Sequence, residues 1–181
     1  MLSRLFTWFY CLDFDEALAL LVLFTAAFCL LNQKYGQRKL WNAAVIAVLT
    51  LWTVAVLAQT VLFRTPDPGY AAIWAPLQSY RAVWTGTGNK ELLRSNFMNA
   101  ALFYPAGLLL ASLLPKKFHK ATAILTVMTA AAMLSGAIEY TQYHWHLGIA
   151  QTDDILHNTF GATLGAAALH IPWHKAFSIR T

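Results

Sequence analysis

Glu139 stands near the end of an otherwise apolar run, residues 121–143. Ser135 lies four positions before it and Gln142 three after it, so a helix puts all three on one stripe. Asp154 and Asn158 open another apolar run, 155–173, and Gly161 and Gly165 continue their stripe. Asp153 stands directly before them. Arg64 closes the clearest apolar run, 41–63, and Asn96 and Asn99 open a further one, 97–114. A carboxylate inside such a run is costly unless it faces a cavity or a partner. Two carboxylates in different surroundings can share acid–base work, one kept protonated by apolar neighbours and one ionised beside a cation. Glu139 and Asp154 are the candidate pair. Arg64 is the cation expected to pair with one of them, or with a phosphate or carboxylate of a ligand. Arg64, Asn99, Gln142, Asn158, Ser135 and Asp153 are the candidate substrate-binding side chains.

Each residue also has a purely structural use. Asp153 or Asp154 can cap a helix and complement its dipole. Arg64 can anchor a helix end at the lipid headgroups. Asn99 can join helices by hydrogen bonding. Glu139 can sit in a structural ion pair. His144, His146 and His157 lie near the acidic residues in the chain, and Asp154 and His157 are three apart. His144 and His146 alternate, which suits a wet interfacial belt better than a ligand set, so no metal or other cofactor is expected. The turn at 85–89 lacks the spacing of a phosphate-binding loop. No Ser-His-Asp or Cys-His motif is present.

The elements that must carry these residues follow from composition. The chain has 181 residues, of which 58% are hydrophobic and 12% charged, with a mean hydropathy of +0.48. Soluble domains carry roughly 25% charge. An all-α integral membrane protein is the class that remains. Runs 14–31, 41–63, 97–114, 121–143 and 155–173 predict about five transmembrane helices. The fifth contains His157, Asn158 and His170, but Gly161, Gly165 and the alanines beside them give it the small-residue pattern of close helix packing. Residues 2–12 suit a short helix lying in the interface. Cys11 and Cys29 are about 27 Å apart along a helix and cannot pair within it.

Lysine and arginine set orientation. Lys34, Arg38 and Lys39 follow the first run; Lys116, Lys117 and Lys120 follow the third; Lys175 and Arg180 follow the fifth. These place the N-terminus outside and the C-terminus in the cytoplasm. The polar residues then collect at the outer face. The net charge of +5 is explained by such loops rather than by nucleic acid. Residues 64–95 form one outer loop, rich in turns and aromatic residues, expected to dip over the helices like a lid. The expected organisation is an N-terminal unit at 1–39, a transmembrane domain at 40–173 and a cytoplasmic tail at 174–181.

The chain resembles the VanZ-like family of bacterial membrane proteins. The likeness rests on Phe63-Arg64-Thr65, Ala75-Pro76-Leu77, Asn99 through Pro105 and Gly107, and Ser135-Gly136-Ala137-Ile138-Glu139-Tyr140-Thr141-Gln142. It ends on Asp153-Asp154-Ile155-Leu156-His157-Asn158-Thr159-Phe160-Gly161 and Gly165. It covers about residues 40–170. The resemblance implies that Arg64, Asn99, Glu139, Gln142, Asp154 and Asn158 are signature positions, and it implies a link to teicoplanin-type resistance. Many relatives carry an arginine and an acidic residue where this chain has Gly148-Ile149-Ala150-Gln151.

Three functions stay open. The pocket binds a lipid-linked cell-envelope component or a glycopeptide, with membrane lipid as the surrounding partner. Alternatively the chain is an enzyme on a lipid-linked cell-wall precursor, with Glu139 and Asp154 as its acid–base pair. The third is a helix-packing partner of another membrane protein through the small-residue face. The expected location is the bacterial cell membrane, as a multi-pass protein. Oligomeric state is not legible.

Overall fold

The computed structural model describes residues 13–36 and 38–171. The expected interfacial helix at 2–12 and the tail at 174–181 lie outside these. Helix α1 spans Phe14–Tyr35. Its start is set by Glu16, which reaches back to accept the Asp13 N–H at 3.1 Å. Helix α2 spans Lys39–Leu57 and ends in a π-helical turn, Ala58–Leu62. After strand β1 (Ala71–Ile73) come a short helix α3 (Gln78–Trp84) and α4 (Glu91–Leu113). Helix α5 (Lys120–His144), strand β2 (Ile149–Gln151) and α6 (Thr152–Ala168) complete the order.

Four of these helices are long and apolar enough to cross a membrane: Phe14–Tyr35, Lys39–Leu62, Glu91–Leu113 and Lys120–His144. The protein is thus an all-α, multi-pass membrane protein, with two three-residue strands as its only sheet among the described residues. Helix α6 has 17 residues and does not reach the length of those four. It runs parallel to α4 and side by side with it. Asn99 meets Asp154 at one end, and Gly161 and Gly165 meet Ala100 and Tyr104 further along.

Helix α4 is the centre. Its most apolar window is 56% buried, against 17–28% for the other three long helices. Without a hydrophobic driving force between helices in lipid, close approach depends on small side chains. A Cβ on Gly161 would collide with the Ala100 carbonyl, and one on Gly165 with that of Tyr104. Gly107 answers from α4, where a Cβ would strike the Ala162 carbonyl. Helix α4 continues through Pro105, and Gly107 serves contact. The small-residue face of α6, considered above as a surface for another protein, is covered by the chain's own α4.

Helix α1 is pinned to α4 by a polar contact. The Thr25 hydroxyl donates to the Leu21 carbonyl at 2.6 Å, so it accepts from Tyr104 Oη at 2.8 Å. On α2, Trp52 Nε1 donates to the Leu102 carbonyl at 2.9 Å. Val56, Phe103, Val127, Ile138 and Ala166 form the main apolar core between α2, α4, α5 and α6.

The loop between α2 and α4 is built rather than loose. β1 pairs in parallel with β2, with Ala71 opposite Ile149 and Ile73 opposite Gln151. Tyr70 stacks on His146 with ring centroids 3.7 Å apart, and Trp74 meets Tyr143 edge-on at 5.7 Å. These contacts tie residues 70–74 to residues 143–151 at the end of α5.

Candidate functional site

At this end of the bundle a polar cleft of about 400 Å³ opens between α2, α4, β2 and α6. Arg64, Asn99 and Asp154 line it, together with Gln59, Thr60, Ser95, Ile149 and Gln151. The π-helical turn shapes its α2 wall. There the Phe63 N–H reaches back five residues to the Ala58 carbonyl at 2.9 Å, and such turns re-aim side chains within a helix. Gln142 steadies the turn, its Nε2 donating to the Thr60 carbonyl at 3.0 Å.

The expected site residues divide into three groups. Arg64, Asn99 and Asp154 form the cleft wall. Asn99 Nδ2 donates to Asp154 Oδ1 at 2.8 Å, which orients that carboxylate. Glu139, Ser135, Gln142 and Asn158 are buried at the inner side of the same end. Glu139 Oε2 accepts the Gln151 N–H at 2.8 Å, so the carboxylate fixes the strand that forms the cleft floor. Asn158 Nδ2 donates to Ser135 Oγ at 2.9 Å, while its Oδ1 is buried without a partner. Asp153 stands apart. The residue is 1% exposed and its carboxylate turns to the loop between α2 and α4, where it accepts the Leu77 and Ser79 N–H groups and the Ser79 hydroxyl.

Arg64 makes no direct salt bridge to Glu139 or Asp154, but its charge acts favourably on both carboxylates. Arg64 Nη1 donates to the Leu147 carbonyl at 3.1 Å. The loop after α5 thus supplies the direct hydrogen bond to the guanidinium.

The histidines have structural partners. His157 pairs Nδ1 with the Asp153 carbonyl and Nε2 with Tyr80 Oη at 2.8 Å, which joins α6 to α3. His144 stacks on Tyr140. Among the described residues no three His, Cys, Asp or Glu side chains group as a metal site.

Sequence reasoning missed Gln59, Thr60, Ser95, Ile149 and Gln151. Gln59 and Thr60 carried a signal, as adjacent polar residues inside the clearest apolar run. Gln151 carried none, since its place depends on strand pairing across 78 residues of chain.

No curated protein and no solved structure matches the chain. The family described as VanZ/LLP1 matches residues 14–172. The first span, expected to lie outside the likeness, is therefore part of it. A match over nearly the whole described chain, taking in all four long helices and every residue of the cleft, makes this protein a member of the VanZ/LLP1 family.

Proposed function

We propose that the cleft binds the anionic group of a lipid-linked cell-envelope component or of a glycopeptide, at the outer face of the bacterial cell membrane. In this reading the protein contributes to glycopeptide resistance of the teicoplanin type. The observation that carries it is Arg64: a guanidinium lining a polar cleft, in direct salt-bridge contact with no carboxylate and hydrogen-bonded to one carbonyl. Arginine has five N–H donors in a planar fork that matches phosphate and carboxylate. With one donor engaged at Leu147, others are left for a ligand. Asn99, Ser95 and Gln59 add neutral donors and acceptors suited to sugar or pyrophosphate oxygens.

A second reading is an enzyme on a lipid-linked precursor. It draws on Asp154 in the cleft wall and Glu139 beneath it. Glu139 does not line the cleft and already holds the Gln151 N–H, which favours binding over acid–base chemistry at that residue.

The test is native mass spectrometry of the purified protein with undecaprenyl phosphate, a lipid-linked disaccharide precursor and teicoplanin. Binding that weakens at least tenfold in Arg64→Gln, with ligand recovered intact, supports the binder. Ligand recovered as a new product, with turnover lost in Asp154→Asn, turns the assignment to the enzyme. Equal binding of all three probes by the wild type and Arg64→Gln sinks the reading.

A further inference from the structure

We infer that Gly148 is the positioning residue for Arg64; this rests on the reading of Arg64 as an anion-binding group. Gly148 has φ +122°, a conformation that L side chains rarely adopt. An ideal Cβ there would stand 3.0 Å from Arg64 Nη1. Its two flanking carbonyls do different jobs. The Leu147 carbonyl accepts from Arg64, and the Gly148 carbonyl accepts the Ala71 N–H at 3.4 Å.

The segment after Gly148 cannot turn freely. β2 is paired with β1, and the Gln151 N–H is held by Glu139. The segment before it is also fixed, because the Leu147 N–H donates to the Gln142 carbonyl at 2.8 Å. The φ of residue 148 therefore decides where the Leu147 carbonyl points. A side chain at 148 drives φ negative, rotates that carbonyl away and releases the guanidinium. An untethered arginine has to be ordered by the ligand, and that ordering lowers affinity. The residue thus acts on binding through Arg64 without touching ligand.

The experiment is a double-mutant cycle on the full chain in detergent, with undecaprenyl phosphate as the probe. The proteins are wild type, Gly148→Ala, Arg64→Gln and the double variant. Gly136→Ala is the control, at a helical glycine with open space around it. The expected result is about tenfold weaker binding in Gly148→Ala, none of it additive with Arg64→Gln, and no change in Gly136→Ala. Wild-type affinity in folded Gly148→Ala, or a fully additive double variant, overturns the inference. If Gly148→Ala does not fold, the cycle is run with Gly148→Asn, the side chain most tolerant of positive φ. Failure of both to fold while Arg64→Gln folds also overturns it, since the glycine then serves the chain and not the arginine. Arg64→Gln binding like wild type removes the underlying function instead, an outcome distinct from all of these.

Discussion

Asp153 caps helix α3 from a different helix: its Oδ2 accepts the Ser79 N–H at 2.9 Å and the Ser79 hydroxyl at 2.6 Å. An N-cap is ordinarily supplied by the residue next to the helix in sequence. Here it comes from 74 residues away, so the same residue that opens α6 also closes the loop between α2 and α4 onto it. Each hydrogen bond to a charged group contributes about 1.5–3 kcal/mol. Asp153→Ala should leave the spans intact and loosen α3 by about 3 kcal/mol. Hydrogen exchange read by mass spectrometry checks this: peptides covering 77–84 should exchange on the order of 100-fold faster. Unchanged protection there would show that α3 does not depend on Asp153.

Leu77, which leads into α3, has φ +59°. A left-handed conformation costs an L residue about 1–2 kcal/mol. Its side chain is half exposed and gives up little on removal. Leu77→Gly should therefore raise the protection of the same peptides several-fold. A decrease would mean that the Leu77 side chain anchors the loop.

The α4–α6 contact should tolerate no added methyl groups. Gly161→Ala and Gly165→Ala each force backbone apart, and overpacking costs typically 1–3 kcal/mol. Thermal unfolding in detergent should show a clear loss for each, and none for Gly136→Ala. Equal melting of all three would remove the contact as a determinant of the fold.

Tyr104→Phe should cost about 0.6–1.7 kcal/mol, as polar contacts between membrane helices do. Together with Thr25→Val the loss should fall short of the sum of the two single losses, because the two hydroxyls share a hydrogen bond. Additive losses in melting temperature would break this account of how α1 is held.

Orientation is checked by fusion. A fluorescent protein that folds only in the cytoplasm should shine at the C-terminus and stay dark when inserted at the 85–89 turn. The reverse pattern would put the cleft on the cytoplasmic face.

The four long helices and the exceptional polar residues were legible because each is a local property. A hydrocarbon core asks for about 20 apolar residues in a row, and a run of that length states itself. Glu139 was visible for the same reason: it interrupts one. What such reasoning placed poorly was everything that depends on one loop meeting another. The partner of Arg64 was expected to be a carboxylate, since opposite charge is the strongest cue in a list of residues. The structure adds a direct hydrogen bond to the Leu147 carbonyl, a backbone partner that carries no charge signal.

The sequence by itself determined the class of protein, the stripes on each helix and the fact that the chain's unusual polar residues lie at one end of the bundle. Only the tertiary structure decided how those residues are shared out. Arg64, Asn99 and Asp154 face the cleft, Glu139 holds its floor strand and Asp153 clasps the loop between α2 and α4. The reason is physical. Spacing along a helix fixes which face a side chain occupies, but the pairing of β1 with β2 is a long-range choice. It is made by backbone hydrogen bonds that every residue offers alike.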